Sequence, residues 1–269
     1  MFAMRFLLFL FVLLQCEANQ VVLITGASRG VGLATARRLA DAGFSVYGTV
    51  RASSVVPPEQ KGLRFVLSDI AVDTVFKEMG RIDILINNAG YGVVGPLESL
   101  TEQEVLDQMD SNFFMPIRFI QAVLPGMRAQ KSGHIINISS VNAVISPPFG
   151  SLYGASKAAL EAMSESLQVE VEPYNIRVSV VEPGLLSTGF SLLLGTRPIP
   201  NNSYEEVMQA IQDHITERMA HPELLVPSQT AESVADFLLQ VILDPKPKLR
   251  YQTSAEAKAE VATKLKDIE

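Results

Sequence analysis

The fold of this chain is decided by residues 21–32, which read VVLITGASRGVG. The apolar, β-branched start at 21–25 predicts a buried strand, and the spacing after Gly30 predicts a helix that stops at Gly43. Glycines at 26, 30 and 32 occupy the turn between them, where the backbone can approach a pyrophosphate at a helix N-terminus. The spacing matches neither a Walker loop nor G-x-G-x-x-G. Dinucleotide binding is the preferred interpretation, with an ordinary loop as the alternative.

The rest of the chain alternates between strand and helix patterns. Further strands are predicted at 44–50, 64–67, 82–86, 134–139 and 177–181, with the clearest helices at 102–129 and 153–172. This alternation predicts an α/β fold, a doubly wound parallel sheet of the Rossmann type, in a single domain over 19–269. Residues 187–230 break the rhythm, with a helical stretch at 204–220. They predict an excursion over the carboxyl edge of the sheet, where such folds bind ligands.

Composition excludes several function classes. The 269 residues carry 22 basic and 29 acidic side chains, a net charge of −7, which argues against a nucleic-acid partner. A hydrophobic content of 48% is enough for one large core and argues against disorder. The single cysteine, Cys16, excludes an internal disulfide framework and a cysteine-based zinc site. No metal site is predicted, because the histidines at 134, 214 and 221 are scattered.

The N-terminal segment, residues 1–18, is apolar. Its run FLLFLFVLL at 6–14 follows Arg5 and precedes the small residue Ala18, as in a secretory signal. Nine helical residues rise about 14 Å, roughly half of a bilayer core, so a full span is not expected. A signal or anchor, a mis-assigned start and an apolar extension packed on the domain all remain open. We expect a cytoplasmic domain, with membrane association through residues 1–14 and secretion as alternatives.

The end of the second predicted strand bears on cofactor choice. An acidic residue there would bind a ribose 2′-hydroxyl, but this chain has Arg51. Arg29, inside the glycine turn, offers a second positive group. Together they favour NADP(H) over NAD(H), although each is also compatible with an ordinary surface arginine. Asp69, after the third strand, is a candidate partner for the adenine amino group.

A tyrosine and a lysine supply the candidate chemistry. Tyr153 and Lys157 are four residues apart on a predicted helix and share a face. Lowering a tyrosine pKa from about 10 to about 7 requires about 4 kcal/mol, which a nearby ammonium and a positive nicotinamide can provide. Ser139 and Ser140 end the fifth strand at the same edge, where a hydroxyl can hold a carbonyl. Tyr-x-x-x-Lys alone is a weak signal, since solvated helix faces often contain it.

Five ordered motifs resemble the short-chain dehydrogenase/reductase family over residues 21–252. They are TGASRGVG at 25–32, NNAG at 87–90, Ser140 thirteen positions before Tyr153, YGASK at 153–157, and Pro183-Gly184 with Thr188. One departure is the interval from Asp69 to Asn88, which is short for the family and predicts a clipped helix.

The resemblance implies a role for each matching residue. Tyr153 would be the general acid/base, Lys157 would lower its pKa and hold the nicotinamide ribose, and Ser140 would orient the carbonyl. The backbone of Asn112 would support a water-linked proton relay to the lysine. The implied cofactor-binding set is Gly26, Ser28, Arg29, Gly30, Val31, Gly32, Arg51, Asp69, Ile70, Asn88, Gly90, Tyr153, Lys157, Pro183, Gly184 and Thr188.

The substrate is predicted to be hydrophobic. ALEAMSESL at 159–167, VVEPG at 180–184 and KLRY at 248–251 resemble the branch related to 17β-hydroxysteroid and retinol dehydrogenases. Phe190, Leu192, Leu193 and Leu194 suggest an apolar pocket, with packing on the core or a neighbouring subunit as the alternative. The predicted function is an NADP(H)-dependent oxidoreductase that interconverts a carbonyl and a secondary alcohol. The resemblance also implies a homodimer or homotetramer through 102–129 and 153–172.

Other function classes stay open. A non-catalytic NADP-binding regulator would typically lose Tyr153 or Lys157, and this chain keeps both. A sugar-nucleotide epimerase or dehydratase would usually show G-x-x-G-x-x-G, which the glycines at 26, 30 and 32 do not fit. A secreted binding protein on the same fold depends on residues 1–18.

Overall fold

A sheet of seven parallel strands forms the centre of the computed structural model, which describes residues 20–186, 192–194, 204–206, 209 and 229–266. The predicted segment 1–18 and most of the excursion at 187–230 lie outside these residues. The strands of the sheet are β1 (Val21–Ile24), β2 (Ser45–Val50), β3 (Leu63–Leu67), β4 (Ile84–Asn87), β6 (Gly133–Ile138), β7 (Ile176–Glu182) and β9 (Arg250–Gln252). Their spatial order is β3-β2-β1-β4-β6-β7-β9. A separate parallel pair is formed by β5 (Gly92–Val94) and β8 (Leu192–Leu194).

Helices cover both faces of the sheet. They are α1 (Gly30–Asp41), α2 (Ala71–Met79), α3 (Glu102–Met109), α4 (Met115–Gln130), α5 (Ser151–Val171), α6 (Ala231–Leu243) and α7 (Ala255–Lys266). Short 3-10 turns lie at Leu97–Ser99, Val141–Ala143 and Glu172–Tyr174. No helix in the described part of the chain is long and apolar enough to cross a membrane.

Two apolar clusters, one on each face, hold the layers together. Neighbouring strand residues point to opposite faces, so Ile24 packs with Leu39 of α1 and Leu238 of α6. Leu23 packs on the other face with Val123 of α4 and other residues of α2, α4 and α5. Both faces are therefore dry, as parallel sheets require, and the predicted doubly wound Rossmann architecture is confirmed.

One predicted helix differs in the structure, and the short strands β5, β8 and β9 were not predicted. The helix expected over 102–129 is divided into α3 and α4 by a π-helical turn at Asp110–Phe114. The prediction missed β9, because Arg250–Gln252 is a three-residue edge strand without the apolar run that marks a buried one. The helix between Asp69 and Asn88 is α2, nine residues long and ended by Gly80 in a left-handed conformation. That it is shorter than the corresponding helix of the family stays a prediction.

Candidate active site

The glycine turn joins β1 to α1 at the carboxyl edge of the sheet. Gly26 and Gly30 have φ values of +70° and +56°, a conformation that side chains disfavour. A Cβ at Gly26 would lie 2.8 Å from the Cα of Ala89, and one at Gly32 would strike the Gly26 carbonyl oxygen. Arg29 precedes α1, and its side chain does not cap the first helical N–H groups. N–H groups at a helix N-terminus can donate hydrogen bonds to an anion such as a phosphate.

Thr25 and Asn88 lock this turn to the one after β4. Thr25 Oγ1 accepts hydrogen bonds from the main-chain N–H groups of Asn88 at 3.0 Å and Ala89 at 2.9 Å. The Asn88 amide donates to the Thr25 carbonyl oxygen at 2.9 Å. These bonds explain why β1 ends at Ile24 rather than at Thr25. The turn that contains Gly26 is thus held against the turn that contains Gly90, and the two turns together form one wall of the candidate site.

The remaining residues of the predicted adenosine end lie where β2 and β3 end. Arg51 directly follows β2 and is exposed. Asp69 and Ile70 follow β3 and are exposed too, with Ile70 immediately before α2. Ser28 and Val31 are half-buried in the glycine turn and the first turn of α1. All of them lie along the same carboxyl edge of adjacent strands.

Asn112 lies in the π-helical turn and is fully buried. Its amide nitrogen donates to the Tyr91 carbonyl oxygen and the Ser156 hydroxyl, both at 3.0 Å. Its side-chain oxygen accepts from Tyr91 N–H at 3.2 Å and would lie 2.9 Å from a Cβ at Gly90. Asn112 therefore connects the segment after β4 to α5. Its place in a π-helical turn is typical of a functional site.

Tyr153, Lys157 and Ser140 converge between α5 and β6. Tyr153 and Lys157 lie on the buried face of α5, with the lysine Nζ 5.9 Å from the centre of the tyrosine ring. Ser140 comes just after β6 and its hydroxyl hydrogen-bonds with Tyr153. Ser140 and Lys157 thus each lie beside Tyr153, and Asn112 hydrogen-bonds to Ser156 on the same helix.

Burial is the main influence on the pKa values of Tyr153 and Lys157. The pKa of Tyr153 is raised to about 12, because the effect of burial exceeds the opposing effect of the hydrogen bond with Ser140. Burial lowers the pKa of Lys157 to about 8, and the negative charge of Glu161 counteracts this. In the protein alone, burial therefore keeps Tyr153 protonated at neutral pH. The lowering of its pKa by Lys157 together with a bound nicotinamide stays a prediction.

The turn after β7 closes the site on another side. The Val141 N–H donates to the Pro183 carbonyl oxygen at 3.1 Å, which joins this turn to the one that carries Ser140. Gly184 follows, half-buried, and Leu185 is 81% exposed. Thr188 and Phe190 lie outside the described residues. Leu193 is 52% exposed on β8, which pairs with β5 and so brings part of the excursion beside the segment after Gly90.

Sequence analysis missed Glu161 and Arg250. Ser139 Oγ donates to Glu161 Oε1 at 2.6 Å, and Glu161 also binds Arg250 of β9. The spacing Lys157-x-x-x-Glu161, one helical turn, was a local signal for the first of these. The pairing with Arg250 spans 89 positions and had no signal of that kind.

The chain is similar in sequence to several known proteins. The family model described as short chain dehydrogenase matches residues 66–194. The chain is 35% identical to human 17-beta-hydroxysteroid dehydrogenase type 1 over 263 residues, covering 88% of this chain and 78% of that protein. It is 31% identical to Bos taurus retinol dehydrogenase 8 over an alignment of 280 positions, which covers 94% of this chain and 87% of that protein. Identity to the 3-ketodihydrosphingosine reductase of Bacteroides thetaiotaomicron is 46% over 181 residues, covering 64% of this chain and 66% of that protein.

Solved structures share the fold over most of the chain. A Streptomyces avermitilis short-chain dehydrogenase superposes with a TM-score of 0.76 at 30% identity, covering 93% of this chain and 94% of that one. A Burkholderia cenocepacia short-chain dehydrogenase in complex with NADP superposes with a TM-score of 0.71 at 25% identity, covering 92% of this chain and 93% of that one. A Burkholderia phymatum relative in complex with NAD gives 0.73 at 22% identity, covering 93% and 94%. Members of the family thus bind either nicotinamide dinucleotide.

Proposed function

Since the chain belongs to the short-chain dehydrogenase/reductase family of oxidoreductases, we propose that it uses NADP(H) to interconvert a hydrophobic carbonyl compound and its secondary alcohol. The observation that carries the proposal is the convergence of Tyr153, Ser140 and Lys157 beside a glycine-lined wall. When bound, the cofactor supplies or accepts the hydride at the carbonyl carbon. The protein's own side chains handle the proton and the orientation.

Tyr153 is the proton donor for reduction. With a pKa of about 12 it retains its proton at neutral pH, so it can hydrogen-bond to a carbonyl oxygen and donate as negative charge develops there. The Ser140 hydroxyl, bonded to Tyr153, holds the same oxygen and limits its orientation. The Lys157 ammonium stabilises the phenolate that remains after donation.

Oxidation of an alcohol needs the opposite proton transfer. Lowering the pKa of Tyr153 from about 12 to about 7 requires about 7 kcal/mol. One ammonium about 6 Å from the centre of the tyrosine ring contributes about 3 kcal/mol at an effective dielectric constant of about 20. Lys157 alone is therefore insufficient, and the positive charge of a bound oxidised nicotinamide would supply part of the remainder.

The wall at Gly26, Gly32 and Gly90 is closely packed, because a Cβ at any of the three would meet atoms of a neighbouring protein segment. The N–H groups at the start of α1 beside it fit the pyrophosphate of a dinucleotide. Ser28, Gly30 and Val31 would present main-chain groups to the phosphates, and Asn88, Pro183, Gly184 and Thr188 would border the nicotinamide half. Arg51 and Arg29, with no acid at the end of β2, support NADP(H) over NAD(H). Asp69 and Ile70 would hold the adenine.

A hydrophobic substrate is supported by the exposed apolar side chains of Leu185 and Leu193 near this edge. The three relatives are named for a hydroxysteroid, retinol and 3-ketodihydrosphingosine. The compounds in these names share an apolar body that carries an alcohol or carbonyl group. Because the alcohol of retinol is primary, the names support the apolar body of the proposed substrate and not the secondary alcohol.

The test is NADPH oxidation by the full chain on a panel of apolar ketones, in wild type and Tyr153→Phe. We expect a loss of turnover of about 10²–10⁴-fold in the variant with the NADPH dissociation constant preserved. Tyr174→Phe, which alters a partly exposed tyrosine after α5, is the matched control and should keep full turnover. Turnover that survives Tyr153→Phe would contradict the proposal.

A further inference from the structure

A partly buried group of charged side chains includes Glu161, which lies one helical turn after Lys157 on α5. It comprises Glu161 and Glu165 of α5, Glu182 of β7 and Arg250 of β9, and we refer to it as the Arg250 cluster. Glu161 is 5% exposed and Glu182 is fully buried, whereas the Glu165 side chain is 53% exposed. Buried carboxylates are rare unless they are paired, so the cluster needs an explanation.

Arg250 connects all three carboxylates. Its two terminal nitrogens bind Glu161 Oε2 and Glu165 Oε1, and one of them lies 3.5 Å from Glu182 Oε1. The other oxygen of Glu182 accepts from the Gln252 amide at 2.9 Å. A residue on the edge strand thus places its guanidinium among three carboxylates.

Glu161 links the cluster to the catalytic group. It lies one helical turn after Lys157 on the buried face of α5, and its Oε1 accepts from the hydroxyl of Ser139, the residue before Ser140. Lys157 donates to the Ile138 carbonyl oxygen at 2.7 Å and lies beside the Tyr153 ring. Among the described residues, Glu161 is the negative group that acts on the lysine.

The charge of Glu161 is itself costly in this position. Burial raises its pKa, the neighbouring Glu182 raises it further, and the hydrogen bond from Ser139 and the charge of Arg250 oppose both effects. Two carboxylates that share a dry site cannot both stay ionised without a compensating cation. Arg250 is the cation that reaches both of them.

We propose that Arg250 is a positioning residue for the reaction, which keeps Glu161 ionised and thereby keeps Lys157 in its ammonium form beside Tyr153. The inference rests on the proposed role of Lys157. Removal of Arg250 would have two opposite effects on Lys157. The loss of a nearby positive charge would by itself stabilise the Lys157 ammonium. We expect the second effect to be larger: Glu161 takes up a proton, and the ammonium loses the negative charge that stabilises it.

The test is a pH titration of the full chain labelled with ¹³Cε-lysine, followed by NMR. The Lys157 signal is identified as the one that disappears in Lys157→Arg. We expect the pKa of Lys157 to fall from about 8 to about 7 in both Glu161→Gln and Arg250→Gln. Glu165→Gln is the matched control, because it removes an exposed partner of the same arginine from the same helix and should leave the pKa of Lys157 unchanged.

Two more variants separate this role from a purely structural one. Arg250→Lys keeps a positive charge and should restore most of the wild-type titration. In the Glu161→Gln background, Arg250→Gln should no longer lower the pKa of Lys157, since the carboxylate through which it acts is gone. An unchanged or higher pKa of Lys157 in folded Arg250→Gln would overturn the inference. If that variant does not fold, an unchanged pKa in Glu161→Gln would overturn it equally.

The titration needs neither substrate nor turnover, so its outcome is separate from that of Tyr153→Phe. A preparation that fails to reduce any ketone would contradict the proposed function, while the lysine titration would still decide the role of Arg250. In an active preparation, the alkaline limb of kcat for ketone reduction should move to lower pH in Arg250→Gln and Glu161→Gln, and stay in place in Glu165→Gln.

Discussion

Lys157 donates a hydrogen bond from Nζ to the carbonyl oxygen of Ile138 at 2.7 Å. Ile138 is the last residue of β6, so this bond fastens the catalytic face of α5 to the strand that ends just before Ser139 and Ser140. The Lys157 side chain is therefore held in position by a main-chain oxygen of the sheet.

This burial predicts a pH-dependent contribution of Lys157 to stability. Its pKa in the folded protein is about 8 against 10.5 as the ordinary value, so between these pH values the unfolded chain binds more protons and stability rises with pH. In Lys157→Met this contribution is absent. The free energy of unfolding of wild type relative to Lys157→Met should increase by about 2–3 kcal/mol from pH 7 to pH 10, measured by urea denaturation. A difference that stays constant with pH would contradict a buried, titrating lysine.

A pair of glycines separates backbone strain from close packing. Gly26 and Gly80 have nearly equal φ values of +70° and +71°, but only Gly26 has neighbours that a Cβ would meet. Gly80→Ala should cost about 1 kcal/mol of stability, from strain alone, and leave NADPH affinity unchanged. Gly26→Ala should be less stable than Gly80→Ala and bind NADPH at least about tenfold more weakly, as measured by thermal unfolding and fluorescence titration. Equal behaviour of the two variants would refute the close approach at Ala89.

Cofactor choice should depend on Arg51. Replacing it with aspartate puts a carboxylate at the end of β2, where it would repel a ribose 2′-phosphate and accept from a 2′-hydroxyl. We expect the preference for NADPH over NADH to fall by about 10–100-fold in Arg51→Asp, from dissociation constants of both cofactors. Arg128→Asp makes the same charge change near the end of α4 and should keep the preference. A preference unaltered by Arg51→Asp would leave the arginine as an ordinary surface residue.

The homodimer or homotetramer inferred from the family resemblance also has a structural test. Apolar side chains are exposed on the predicted contact helices, with Leu106 at 53%, Phe114 at 45% and Val169 at 70%. Burying them against a second copy would remove this surface from water. Phe114→Asp should shift the sedimentation coefficient towards the monomer value at micromolar concentration, whereas Val55→Asp, in the loop before β3, should not. A wild-type protein that sediments as a monomer would exclude the assembly.

Local patterns predicted most of the architecture. The strand–glycine–helix sequence at 21–32 and the alternation that follows were sufficient for a doubly wound sheet, because buried parallel strands read as continuous apolar runs. The pattern could not show the π turn that interrupts the helix at Asn112, since the turn coincides with hydrogen bonds to Tyr91 and Ser156 from other segments. Nor could the pattern show β9, which has no apolar run of its own and is a strand only because its backbone pairs with β7.

The sequence by itself determined the residues of the candidate site that follow a local rule: glycines where positive φ is needed, and Tyr153 and Lys157 one helical turn apart. Only the tertiary structure decided how these residues are charged. Burial raises the pKa of Tyr153 and lowers that of Lys157, and Arg250 reaches Glu161 across 89 positions of sequence. Propensity and spacing act between near neighbours in the chain, whereas desolvation and charge pairing depend on which segments the strand order brings together.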